Sequence, residues 1–183
     1  MPVGHDTRRS GRLELAAYAA GALLGGLTTA AVLWFASLFA APLPAAARHA
    51  AVVLAVTAAL LHDFGIRRLP LPQNARQVPR SVFANGTIRG FFQFGYEMGT
   101  GVRTYVPTAT PYVVAAMLLC LTPSLVGGLL SGAGFGAGRA MMPAFRRWSG
   151  DPWRWDDSLK RRLGLVTYVS AAVAAVAAGT MVA

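Results

Sequence analysis

The stretch that decides the fold is Phe83–Thr108, FANGTIRGFFQFGYEMGTGVRTYVPT. It is apolar enough to enter a bilayer, yet it carries Arg89, Glu97 and Arg103. Wound as a helix, Asn85, Arg89, Gln93, Glu97, Thr100 and Thr104 recur at steps of three and four and form one polar stripe. Phe91, Phe94, Met98, Val102 and Tyr105 fall mostly on the rest of the surface. Such a stripe does not face lipid. It meets other helices, a water-filled cavity or a partner subunit.

The composition sets the same frame. Of 183 residues, 55% are hydrophobic and 13% charged, about half the charged fraction of a soluble domain, and mean hydropathy is +0.47. A net charge of +10 would point to nucleic acid in a soluble protein. Here the basic residues lie between apolar runs, as the positive-inside rule produces, so nucleic acid is not expected. Only Lys160 among the 17 basic residues is lysine, and alanine is abundant. That bias fits a GC-rich bacterial genome and hence a bacterial cytoplasmic membrane. Cys120 is the single cysteine, which excludes an internal disulfide or a CxxC pair.

Arg8, Arg9 and Arg12 precede a first apolar run, Leu13–Ala40. It is nearly twice a signal-peptide core of about 7–15 residues, so an uncleaved span is expected. Gly21, Gly25 and Gly26 give it a small-residue face for close helix contact. Pro42 and Pro44 turn the chain into a second span, Ala45–Phe64, which ends at His62-Asp63. The loop to Ser81 holds Arg67, Arg68, Arg76 and Arg80 among three prolines that prevent a continuous helix. Tyr112–Arg139 reads as a span kinked at Thr122-Pro123-Ser124. Met141–Arg162 reads as an amphipathic interfacial segment, with Asp151-Pro152 as a helix start inside it. Its Arg146, Arg147, Arg154, Lys160, Arg161 and Arg162 are candidates for anionic lipid headgroups. Leu163–Ala183 is the last span.

The architecture expected is therefore all-α, with about five membrane helices, two of them broken or kinked. If Phe83–Thr108 crosses, residues 1–12 are cytoplasmic and the positive-inside split leaves only Arg48 and Arg103 outside. If it stays on one side, the basic segment from Arg146 faces opposite the Arg67–Arg80 loop, so crossing is favoured. A re-entrant half-crossing is the rival, because Gly90–Val102 alone is too short to span.

Glu97 is the one acidic residue near the middle of a span and the leading candidate for function. An intramembrane carboxylate costs on the order of 2.5–3.5 kcal/mol by insertion scales unless paired or protonated. The candidate polar site is Glu97 with Arg89, Gln93, Arg103, Thr100 and Thr104. In one reading Glu97 holds a proton or cation; in the other it forms a packing ion pair. Gly99-Thr100-Gly101, Pro107, Pro111 and Pro123 interrupt helices as in transporters. His62 and Asp63 are a weaker pair. No catalytic spacing, metal set or cofactor motif is read.

Over Gly95–Gly138, the proline-broken, glycine-faced helices resemble the transmembrane cytochrome c biogenesis and thiol-disulfide interchange family. That family moves electrons through a pair of membrane cysteines, and Cys120 alone does not carry that activity over. The expected function is a small membrane transport or channel-type component. The alternative is a non-catalytic accessory subunit whose stripe docks on a partner helix. A five-helix bundle with polar stripes and glycine faces implies a homo-oligomer or a larger complex.

Overall fold

The computed structural model describes residues 4–67, 88–101, 108–121 and 124–182, with side chains from Gly11 to Met181 within those ranges. Among the described residues the chain is all-helical: α1 (Gly4–Ala40), α2 (Ala45–Asp63), α3 (Ile88–Thr100), α4 (Thr110–Cys120), α5 (Leu125–Trp148) and α6 (Pro152–Val182). Three helical segments are long and apolar enough to cross a membrane: Gly11–Ala40, Ala45–Asp63 and Pro152–Met181.

The packing is that of a membrane protein. Alanines dominate the buried positions, including Ala22, Ala30, Ala59, Ala109, Ala171, Ala174 and Ala178, whereas Phe35, Leu54, Val126, Leu130, Val173 and Val176 stand 60% or more exposed. In water this arrangement would forgo the burial that drives folding. In lipid, large side chains gain nothing by turning inward, and helices associate through small residues that let backbones approach.

The chain divides into two compact units. The first, 1–29, 73–105 and 129–155, is built on α1. A Cβ on Gly21 would overlap the Phe92 carbonyl oxygen, and one on Gly25 the Tyr96 carbonyl oxygen. Reciprocally, a Cβ on Gly95 would overlap the carbonyl of Tyr18, and one on Gly99 that of Ala22. The contact numbers rise together along both helices, so α1 and α3 run parallel. Each lays a Gly-xxx-Gly face against carbonyls of the other. On its other flank, Gly26 meets Gly132 and Gly136 meets Ala22 and Leu23. These numbers run in opposite senses, so α5 is antiparallel to α1.

The second unit comprises 30–72, 106–128 and 156–183. Here Ala59, Ala109, Val113 and Ala174 form one core cluster with Val56, Tyr112 and Met117 packed against it. α2 and α4 run antiparallel, since Asp63 reaches Ala109 and Arg48 reaches Cys120. α2 and α6 do likewise, with Phe64 against Tyr168 at 5.1 Å between ring centroids and Ala59 beside Ala174.

Of the expected span 83–108, residues 83–87 and 102–107 lie outside the described residues, and between them α3 runs Ile88–Thr100. It ends at Gly101, whose φ of +70° forms the left-handed cap that glycine adopts without strain. Over 112–139, α4 ends at Cys120 and α5 begins at Leu125, the expected kink at Thr122-Pro123 lying outside the described residues. Ser124 Oγ accepts from the Gly127 N–H to start α5. Over 141–162 there is no separate interfacial helix. α5 runs on to Trp148, Gly150 turns the chain at φ +73°, and Asp151 Oδ1 accepts from the N–H groups of Trp153 and Arg154 to open α6 at Pro152.

Candidate functional site

The polar stripe lies on α3, and the glycine packing sets which way it turns. At 3.6 residues per turn, Arg89, Gln93, Glu97 and Thr100 centre roughly 130° round the helix from Gly95 and Gly99. The glycine side is held against α1. The stripe is consequently turned away from α1, with Arg89 and Gln93 exposed and Glu97 and Thr100 half-buried. Gln93 Nε2 donates to Glu97 Oε1 at 3.3 Å, linking neighbouring turns of the stripe. Thr100 Oγ1 donates back to the Glu97 carbonyl at 2.9 Å. The Thr100 carbonyl, in the last turn of α3, accepts from Thr29 Oγ1 of α1 at 3.1 Å. A carbonyl left without an intrahelical partner is thereby satisfied inside the unit.

Of the expected site residues, the structure brings Arg89, Gln93, Glu97 and Thr100 onto one helix face. Arg103, Thr104, Pro107 and Pro123 lie outside the described residues. Pro111 takes a place in the first turn of α4, where its missing N–H costs nothing.

The weaker pair, His62 and Asp63, is not part of the stripe. Both Asp63 carboxylate oxygens accept from the Ala109 N–H, at 2.8 and 3.1 Å, and Ala109 is the residue from which α4 starts. At the other end of α4, Arg48 Nη1 donates to the Cys120 carbonyl at 3.4 Å. α2 therefore presents an acid to the positive end of the α4 dipole and a base to its negative end. Sequence reading left Asp63 without a partner because the bond spans 46 residues. His62 Nδ1 is buried with no hydrogen-bond partner among the described residues.

A further cation of the first unit, counted by sequence reading merely as an inside charge, is Arg139 on α5. Its guanidinium carbon sits 5.3 Å from the Phe135 ring centroid. Phe135 in turn contacts the open face of Gly101, at 3.4 Å from where a Cβ would stand. Tyr18 of α1 packs on Phe94 of α3, with 5.4 Å between ring centroids.

With this geometry in view, comparison with known proteins adds no kinship: no family model, no curated protein and no solved structure matches the chain. The α3 stripe offers a carboxylate, an amide, a guanidinium and a hydroxyl along about 16 Å of helix. That set can pass or hold a proton or small ion, or bind a polar strip on another helix.

Proposed function

We propose that this chain is a small transport or channel-type component of a bacterial cytoplasmic membrane, with its N-terminus in the cytoplasm. Its polar site is completed when α3 stripes from more than one chain meet. The observation that carries this reading is the exposure of Arg89 and Gln93 on the face of α3 turned away from α1. Polar groups at membrane depth require polar partners, and a second copy offers the same set across a symmetry axis. The directions of the helices agree with it. α3 runs with α1 and α5 runs against it, the senses that a five-span chain with an inside N-terminus gives its first, third and fourth spans.

A second reading is an accessory subunit whose stripe docks on a different protein. One observation favours it: Arg89 and Gln93 stand exposed on the flank of α3 turned away from α1, a strip that one polar partner helix would cover.

The two separate in one experiment. Gln93→Cys, made with Cys120→Ser, is oxidised in native membranes, and wild type and Glu97→Gln are reconstituted with a pH-sensitive dye inside the vesicles. The transport reading expects disulfide-linked copies and a proton or ion flux that Glu97→Gln abolishes without altering the assembly. A cross-link to another protein, with no flux from the purified chain, would establish the accessory role instead.

A further inference from the structure

From the groove on the second flank of α1 in the first unit, we infer a built site for one anionic phospholipid, independent of what the α3 stripe does. The groove encloses 920 Å³ between α1 and α5. Its floor is made of small side chains, Ala16 and Ala19 on α1 with Ala137 and Ala140 on α5. Its mouth is formed by Arg12 and Arg147 beside Trp148. From Arg12 to Leu23 the groove follows α1 for about 16 Å, close to the depth of one leaflet, half of about 30 Å of hydrocarbon.

Three observations select the occupant. The walls are apolar where the acyl chain would lie, and no carboxylate is among the lining residues. Both cations stand at one end. Arg147 stretches along α1 past Gly11, where a Cβ would lie 2.5 and 2.7 Å from its two terminal guanidinium nitrogens, so it borders the cavities on both flanks of α1. Paired guanidiniums bind a phosphodiester through forked, charge-assisted hydrogen bonds, which a point charge does not reproduce. Trp148 is 73% exposed and stands at the cationic end, the level where an indole favours the headgroup boundary. The opposite flank of α1 differs. The cavity there also includes Arg147 but is lined by Glu14, whose charge disfavours a phosphate.

The site is specific, which separates it from the general attraction of a basic segment to an acidic leaflet. The other exposed arginines of that segment, Arg146, Arg154, Arg161 and Arg162, do not line the groove. The test is native mass spectrometry of the full chain in mild detergent, titrated with phosphatidylglycerol or phosphatidylcholine. One phosphatidylglycerol per chain is expected to survive collisional activation that strips phosphatidylcholine. The Arg12→Gln/Arg147→Gln pair should lower its retention roughly tenfold or more, and Arg161→Gln/Arg162→Gln should leave it unchanged. Ala140→Phe, which fills the floor, should also lower retention while the melting temperature is checked for an intact fold. Equal losses from both arginine pairs, equal retention of the two lipids, or a dimer in place of bound lipid would each overturn the proposal.

Discussion

Replacing Gly95 by alanine tests the central contact of the first unit. The added Cβ would fall within the Tyr18 carbonyl, with the Tyr18 Cα only 3.0 Å away. A carbon facing a carbonyl oxygen normally rests at about 3.3–3.6 Å, so the two helices must part by about 1 Å or more. Because α1 and α3 are rigid, that movement opens the companion approaches as well: Gly99 on Ala22, Gly21 on Phe92 and Gly25 on Tyr96. Four Cα–H to carbonyl contacts at about 0.5–1 kcal/mol each give a loss of roughly 2–4 kcal/mol. Alanine's higher helix propensity returns at most about 1 kcal/mol. The net expectation is a destabilisation of about 1–3 kcal/mol, in the range found for overpacked interiors. Gly134→Ala is the matched control, since nothing lies within 4 Å of its Cβ position, and it should be neutral or stabilising. Both are read by thermal unfolding in detergent and by loss of the fold on titration with sodium dodecyl sulfate. If Gly95→Ala proves as stable as Gly134→Ala, the close parallel packing of α1 on α3 is refuted.

Other consequences follow from single contacts. Asp63→Ala removes a charged acceptor from the start of α4 and should cost about 1.5–3 kcal/mol. Asp63→Asn keeps an acceptor and should lose only about 0.5–1 kcal/mol of charge–dipole energy; equal melting shifts for the two would refute that division. Arg48→Met frees the last turn of α4, so the single cysteine reports on it directly. Cys120 should react with a maleimide roughly two- to fivefold faster, as expected for losing a bond of about 0.5–1 kcal/mol, and an unchanged rate would mean that Arg48 does not hold that end. Gly101→Ala forces a side chain to φ +70° and should cost about 1–2 kcal/mol, with Gly101→Asn costing less; similar melting temperatures for the two variants would argue against a left-handed cap.

The parts of this fold that repeat along one helix were legible in the sequence. The apolar runs gave an all-helical membrane chain, and a second helix starting at Ala45 follows directly from Pro42 and Pro44. Asp151-Pro152 marked the start of α6 correctly. The glycines of α1 signalled a close contact but not its partner, because a small-residue face specifies that a backbone comes near without saying which one. Periodicity likewise placed Arg89, Gln93, Glu97 and Thr100 on one stripe. The direction in which that stripe points depends on where Gly95 and Gly99 lodge, a fact about α1. Asp63 and Arg48 looked like loose ends of α2 because their partners lie 46 and 72 residues further on.

The parallel sense of α1 and α3 also bears on how the chain is made. Two helices that run the same way cannot be neighbours in a simple hairpin, so α1 must wait until the residues between the two helices, and then α3 itself, have been made. About 70 residues separate the two glycine pairs, and at 5–20 residues per second their synthesis takes on the order of 4–15 s. For that interval the grooved side of the first helix has no α3 to receive it, and whatever shields it then, be it lipid, the insertion machinery or the α1 of a neighbouring nascent chain, competes with the native partner.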